Sequence, residues 1–463
     1  MLKLFIDLIT KYKYLKFIHF LSSKIMVNSL IIGHGAREHV IGETLVKWGA
    51  NLYAFMSSKN AGLEDLSKNI KIHSETDFQE ILDFSKKNNI DFAVIGPEAP
   101  LVVGIVDALE KGGIPCVGPK IEAAQIEGSK IFMRGLLEKY KIPSNVSSKI
   151  FDSMDGVESF IKDLGEELIV VKPEGLTGGK GVKVYGDHLF NKNDIIKYCR
   201  ELVDNKSRFL LEEKCEGEEF TLQTFVDGKT IIGSPLVQDH KRAYEDDKGP
   251  NTGGMGSYSM EDHLMPFFTQ KDVDEALEDM KKTVAAIKAE TGVEYKGFLY
   301  GQFMKTAAGL KLIEFNSRFG DPEAMNVLPL LKGNFVDICW AIINRNLSQS
   351  YEFEKKATVC KYLAPEGYPV NPKRDEPIII DKNKLNEIGA KYYYASVYRE
   401  GDNIYTTTSR AIGILGISDS LEDAEIIAEL GVGCVQGKLF HRKDVGTKRL
   451  LQKRIDRMNS LLK

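Results

Sequence analysis

The sequence has few cysteines, no long apolar run and no surplus of either charge, and each lack removes a class of protein. Six cysteines (Cys116, Cys199, Cys215, Cys339, Cys360 and Cys434) are scattered through 463 residues, and no two form a C-x-x-C pair. That spacing offers neither a zinc site nor a disulfide framework. It fits a reducing, cytoplasmic compartment, with each cysteine serving as a small buried apolar residue. No stretch reaches the ~18 uninterrupted apolar residues that a membrane span needs. Lys and Arg total 62 against 66 Asp and Glu, a net charge of -4. A nucleic-acid partner would call for a basic domain or stripe, which this balance does not supply, whereas a site for small phosphorylated ligands needs only a few local basic residues. Internal repeats and low-complexity segments are also missing.

What is present is ordinary for a soluble globular protein: 43% hydrophobic and 28% charged residues. At roughly 150 residues per domain, the length predicts about three domains. The first 25 residues stand apart. They are rich in Leu, Ile, Phe and Tyr, and carry Lys3, Lys11, Lys13, Lys16 and Lys24 against Asp7. An amphipathic, membrane-surface or targeting segment would fit, but arginine and a small-residue cleavage site are lacking. Translation starting at Met26, directly before a clean strand, is the favoured reading.

From Met26 the pattern alternates short buried strands (27–33, 52–55, 91–96, 114–117) with helices (38–47, 77–88, 101–111). This predicts a parallel, Rossmann-like domain over residues 26–127. Residues 128–348 read as a mixed α+β central domain, with a mobile lid at about 145–215 and a long helix over 322–345. Residues 349–463, with β-branched and aromatic runs at 357–363, 391–398 and 404–408, read as a β-rich closing domain.

Five motifs carry chemistry. Gly33-His34-Gly35-Ala36-Arg37-Glu38-His39 follows a strand and opens a helix, where free backbone N–H groups suit a phosphate. Glu38 occupies the position where a dinucleotide fingerprint needs Gly or Ala, and the second strand ends in Met56-Ser57-Ser58 without a ribose-binding acid, so NAD is not expected. His34 and His39 have no metal-like companions and read as structural. Next, a strand delivers Lys172 into the loop Gly175-Leu176-Thr177-Gly178-Gly179-Lys180-Gly181. Its spacing is not that of a Walker A loop, but a strand–glycine loop–strand hairpin can fold over a triphosphate. The segment Glu212–Glu219 offers backbone and carboxylates for a nucleoside, or is a plain acidic turn. The fourth motif joins Asp239-His240-Lys241-Arg242 to Asn251-Thr252-Gly253-Gly254-Met255-Gly256, a loop that lets a ligand approach the backbone beside two cations. Finally, Glu314 and Asn316 lie two apart on one strand, facing the same side, with Gln302 on the preceding strand. Such oxygen ligands suit Mg²⁺, and Arg318 offers a fork for a carboxylate.

Together the runs GHGAREH, GPEAPLVVGIVD, EGSKIF, VVKPEGLTGGKGV, QDHKRAYEDDKGPNTGGMGSYS, GFLYGQFM and IEFNSRFGDPE resemble the phosphoribosylamine–glycine ligase family of the ATP-grasp superfamily, over about residues 27–450. The resemblance implies an ATP-dependent ligation of glycine to 5-phosphoribosylamine through glycyl phosphate, on a Rossmann-like, ATP-grasp and β-rich architecture. It implies that Lys130, Lys172, Gly178, Gly179, Lys180 and Gly181 meet the ATP phosphates, with Glu212 and Glu213 at the adenine and Glu219 at the ribose. Gln302, Glu314 and Asn316 would hold Mg²⁺ or Mn²⁺. Gly33, Gly35, Glu98, Asp239, Lys241, Asn251, Thr252, Gly253, Gly254, Arg318, Asp321, Pro322 and Glu323 would line the two small-substrate sites, with Arg318, Lys172 and Asp239 catalytic. A monomer or weak homo-oligomer without nucleic-acid or membrane partners is implied, and no later pathway enzyme is expected to be fused to the chain. The sequence departs from the family in its EGLTGGKG loop, in His34 where asparagine is usual, and in a 404–413 segment without the common double glycine before its arginine. Rival readings are another ATP-grasp ligase, an NAD(P) oxidoreductase and a non-catalytic nucleotide sensor.

Overall fold

The apolar runs near the N-terminus become one parallel sheet. Its strands lie in the order Ser67–Ile72, Asn51–Met56, Asn28–Ile32, Phe92–Ile95, Cys116–Val117. This computed structural model describes residues 26–175 and 181–463, so the expectations placed on residues 1–25 and on Gly178, Gly179 and Lys180 lie outside the described residues. Phe92–Ile95 is buried throughout and Asn28–Ile32 nearly so. Strands covered on both faces carry uninterrupted apolar runs, which is why these two were legible. The edge strand Ser67–Ile72 (SKNIKI) was not anticipated, because it is polar and half-exposed. Chain order changes side between the first strand and Phe92–Ile95. The crevice beyond their carboxyl ends therefore receives the loops Gly33–Gly35 and Gly96–Glu98. The helix expected over 101–111 is two helices, Glu98–Val102 and Ile105–Lys111, parted by Gly104 at φ +96°.

Residues 148–213 build a separate antiparallel sheet in the order Ser148–Phe151, Phe209–Glu213, Ile169–Pro173, Lys183–Val184. Helices Val157–Leu164 and Lys192–Asp204 cover it and close a core of its own around Phe151, Ile161, Ile169, Val171, Ile195 and Phe209. Each such side chain contributes about 1.5–3 kcal/mol on burial, so this unit has a hydrophobic core distinct from those of its neighbours.

A second antiparallel sheet runs Ile231–Gly233, Gly217–Asp227, Lys296–Thr306, Gly309–Asn316. The two long inner strands pair from Gly217↔Thr306 to Asp227↔Lys296. Helix Gln270–Thr291, started by a Thr269–Asp272 capping box, lays Ala276, Met280, Val284 and Ile287 into the core beneath. The single helix expected over 322–345 is instead Glu323–Val327, a turn through Pro329, and Phe335–Asn344. Pro329 cannot continue the helical hydrogen bonding, and Asn334 caps the second helix by accepting from the N–H groups of Val336 and Asp337.

A further sheet joins distant parts of the chain. Gln238–Asp239 and Gly256–Ser259 pair onward to Ala357–Pro365, Ile412–Ser418 and Lys391–Tyr394. Gly256–Ser259, which leaves the 251–256 loop, is thus a strand of the same sheet as the C-terminal residues, whereas Lys248–Asn251, which enters it, pairs with Arg242–Tyr244 in a ribbon of its own.

Candidate active site

Strand alternation creates the floor of the site. On Gly217–Asp227 and Lys296–Thr306, Phe220, Leu222, Leu299 and Phe303 face the core, while Glu219, Thr221, Gln223, Tyr300 and Gln302 take the other face. On Gly309–Asn316 a bulge interrupts the alternation: Gln302 pairs with Glu314, but Phe303 pairs with Leu312. The extra residue, Ile313, lets Leu312 and Phe315 both enter the core while Glu314 and Asn316 join the polar face. Gln302, Glu314 and Asn316, predicted as a metal set, are therefore neighbours. Tyr300 OH donates to Glu323 Oε1 at 3.0 Å and receives from Thr221 at 3.0 Å.

Lys241 reaches over this floor. Its Nζ donates to Gln302 Oε1 at 2.6 Å and stands 3.9 Å from Glu219, which also accepts from Gln302 Nε2. Asp239, Glu219, Glu314 and Glu323 outweigh the loss of hydration and hold Lys241 firmly cationic. Asp239 behaves oppositely: removal from water, with Glu323 and Glu219 nearby, pushes its carboxyl up to about 7 against the pull of Lys241. Glu314 stays below the usual carboxylate range, because Lys241 and Lys172 overcome the effect of burial. Among the described residues Glu314 has no ion-pair partner, so its charge faces the site. Gln302 Oε1 already accepts from Lys241 and Asn316 Oδ1 from Arg318, so a hard divalent cation fits this set through the Glu314 carboxylate and the lone pairs that those two contacts leave.

The upper wall comes from the separate antiparallel sheet. Lys172 Nζ lies 2.7 Å from Glu212 Oε2, and Arg134 binds the same carboxylate with both Nε (3.0 Å) and Nη2 (3.1 Å). Arg134 Nη2 also donates to the bulged Ile313 carbonyl at 3.0 Å, and Lys172 lies 3.5 Å from that oxygen. Burial would raise the Glu212 carboxyl, but Arg134 and Lys172 hold it at about 2. Glu212, expected beside adenine, thus spends its side chain fixing Lys172. Glu213 follows it in the strand and Lys130 donates to the Gly175 carbonyl at 2.5 Å; Gly181 receives Tyr198 OH at 2.7 Å.

On the N-terminal side, Arg318 is largely committed to protein partners. Nε donates to Glu98 at 3.3 Å, Nη1 to the Phe319 carbonyl at 3.2 Å, and Nη2 to Asn316 Oδ1 at 3.1 Å and Glu127 at 2.9 Å. The second oxygen of Glu127 accepts both the N–H and the hydroxyl of Ser317. Burial works against ionisation of Glu98, but Arg318 and Arg37 keep its carboxyl at about 2. Glu38 fills the first glycine loop, accepting from Gly35 N and Arg37 Nε at 2.6 Å each. His39 is buried, accepts from Tyr394 N, and is kept neutral by burial, with its pKa down at about 4. His34 pairs with Glu75. Both histidines are held by protein contacts.

The 251–256 loop closes the remaining side. Thr252 caps it, with N and Oγ1 both donating to the Lys241 carbonyl, and Asn251 pairs with Arg242. Gly254 sits at φ +111°, and a Cβ there would stand 2.8 Å from Pro322 Cδ, so only glycine lets this loop meet the Asp321–Pro322–Glu323 turn. Gly35 faces Asp321 from the N-terminal domain. Sequence reasoning missed Glu127, Arg134, Arg37 and Arg410, which hold the predicted residues in place. The signal for Arg134 was an arginine set among the buried Met133, Leu136 and Leu137 of its helix.

Comparison with known proteins gives a consistent picture. The models of the phosphoribosylglycinamide synthetase N domain, ATP-grasp (A) domain and C domain match residues 27–127, 128–324 and 358–448. The phosphoribosylamine–glycine ligase of Methanocaldococcus jannaschii is 50% identical over 440 residues, covering 93% of this chain and 99% of that protein. That of Thermococcus gammatolerans is 49% identical, covering 93% and 97%. Among solved structures, the phosphoribosylamine–glycine ligase of Thermotoga maritima superimposes with a TM-score of 0.77 at 25% identity, covering 90% of this chain and all of that one. The biotin carboxylase domain of a Hydrogenobacter thermophilus 2-oxoglutarate carboxylase shares the fold at 14% identity, with a TM-score of 0.69 and 94% of each chain covered.

Proposed function

The chain belongs to the phosphoribosylglycinamide synthetase family, and from that premise we propose that it joins glycine to 5-phosphoribosylamine with ATP, giving glycinamide ribonucleotide, ADP and phosphate in purine biosynthesis. The glycine carboxylate takes the γ-phosphoryl group and ADP leaves. The amine of phosphoribosylamine then attacks the acyl carbon of glycyl phosphate, a C–N bond forms, and phosphate departs. The observation that carries this reading is the meeting of three things at one place: the polar floor with Glu314 and Asn316, the fixed Lys172 above it, and the glycine loops at Gly33–Gly35 and 251–256 beside it.

Each group has a task set by that chemistry. Lys172 and Lys130 offset phosphate charge from the lid side, and Glu212 with Arg134 keeps Lys172 aimed at the site. Gln302, Glu314 and Asn316 would hold Mg²⁺ or Mn²⁺, which when bound supplies further neutralisation of the phosphates. Lys241 and Asp239, cation and tunable carboxyl on adjoining backbone, face the small-substrate side, where Asp239 is able to take a proton from the attacking amine. Arg318 holds Asn316 and Glu98 in register, with its remaining hydrogen left for a ligand. The lid, about residues 145–215, keeps water from the acyl phosphate. A reducing, cytoplasmic compartment agrees with the six unpaired cysteines, five of them buried. Among the described residues no helix is long and apolar enough to cross a membrane.

The test is ADP release from ATP and Mg²⁺ with glycine, with phosphoribosylamine generated in place, or with both. The reading expects release only with both, matched by glycinamide ribonucleotide. Release with a different carboxylate and amine, but not with this pair, would keep the ligase chemistry and discard the substrates.

A further inference from the structure

Arg410 lies in the C-terminal lobe, just before strand Ile412–Ser418, yet its guanidinium reaches the loops that line the site. Nη1 donates to the carbonyls of Gly253 and Gly254 at 2.9 Å each and of Asp321 at 3.1 Å. Nη2 donates to Asp321 Oδ2 at 3.1 Å. The guanidinium lies over the ring of Tyr362, 4.4 Å from its centroid. Tyr362 OH donates to the other Asp321 oxygen at 2.5 Å. Tyr362 itself is fully buried on Ala357–Pro365, the strand that pairs with Gly256–Ser259 at the end of the 251–256 loop. One fork therefore grips the backbone of two loops, and a rigid sheet grips the fork.

Resting on the function proposed above, we propose that Arg410 is a positioning residue for both small substrates. It sets the 253–254 carbonyls and the Asp321 carboxylate at one spacing, so that the two loops act as a single surface. Its Nη1 hydrogens and one of its Nη2 hydrogens point at protein, so it works through the loops. A lysine offers one nitrogen in place of a planar fork and cannot span these acceptors.

The experiment compares Arg410→Lys and Tyr362→Phe with the full-length wild type. Arg410→Lys keeps the buried charge, and Tyr362→Phe keeps the ring while releasing one Asp321 oxygen. Arg410→Lys is expected to raise KM for glycine and for phosphoribosylamine together, by about tenfold or more, while KM for ATP stays within about twofold. Tyr362→Phe shifts the same two constants by a smaller factor. Amide hydrogen exchange reads the coupling without substrate: in Arg410→Lys the segments 251–256 and 318–323 both exchange faster. Unchanged KM values with only a lower Tm would overturn the proposal in favour of plain packing. A rise confined to phosphoribosylamine would overturn it in favour of direct contact with that ligand, and unchanged exchange in both segments would overturn it as well. A wild type that turns over neither substrate sinks the functional reading alone, since the exchange result still decides the coupling.

Discussion

Replacing Glu212 with Gln removes one charge from a buried cluster while leaving the side-chain volume and an acceptor oxygen in place. The carboxylate is 2% exposed, and its partners Arg134 and Lys172 are 1% and 12% exposed. Two routes give the cost. The carboxyl is held at about 2 against an ordinary value of 4.5, and at 1.36 kcal/mol per unit that difference is worth about 3 kcal/mol. Removing one member of a buried ion pair costs about 3–5 kcal/mol by general experience, because the remaining cations are left uncompensated. A loss of about 3 kcal/mol is about a hundredfold in a local opening equilibrium. The assay is amide hydrogen exchange across Ile169–Pro173 and Phe209–Glu213, the strands that the cluster ties to Ile313. Their amides should exchange about a hundredfold faster in Glu212→Gln, and KM for ATP should rise as Lys172 loses its anchor. The pH dependence has a definite sign. A carboxyl with a depressed folded-state pKa stabilises above its unfolded value and loses that stabilisation as pH falls from 4.5 towards about 2. The gap between wild type and variant should therefore be flat from about pH 6 to 8. An exchange change under about threefold, or a gap that closes within that neutral range, would refute the reasoning.

Glu314→Gln should reduce turnover by about a thousandfold with stability changed by less than about 1 kcal/mol, because its charge serves the site and no ion pair is lost. Near-normal activity of that variant at low Mg²⁺ would remove Glu314 from the ligand set. Asp239, pushed up to about 7, should give an acid limb near that pH in kcat/KM for phosphoribosylamine, and Asp239→Asn should lower activity and remove the limb. Its effect on stability runs opposite to that of Glu212. The folded-state pKa is raised above 3.8, so wild type loses stability relative to Asp239→Asn as pH rises from about 4 to about 7, measurable as a widening Tm difference.

The residues that could be read directly were those whose constraint is local. Phe92–Ile95 is a buried parallel strand because it is apolar without interruption, and the helix expected over 38–47 is Ala36–Lys47, directly after the strand Asn28–Ile32. Ser67–Ile72 was not legible, since a polar edge strand carries neither signal. The break between Val327 and Phe335 was written in Pro329 and Asn334, but the apolar run around them masked it. The bulge at Ile313 has no marker residue at all, although it alone brings Glu314 and Asn316 to the polar face while keeping Leu312 and Phe315 in the core.

By itself the sequence determined the parallel N-terminal sheet and the family. Periodicity, glycine spacing and short motifs are properties of neighbouring residues, and they survive without knowledge of the fold. Only the tertiary structure decided what each charged residue of the motifs does with its charge. Glu212 turns inward because Arg134, 78 positions earlier, reaches it. Arg318 is occupied because Glu98 and Glu127 arrive from the N-terminal domain, far earlier in the chain. Arg410 governs loops 89 and 157 positions away in the chain. Coulombic and hydrogen-bond energies depend on distance in space, and no pattern along the chain records which distant charge will complete a buried pair.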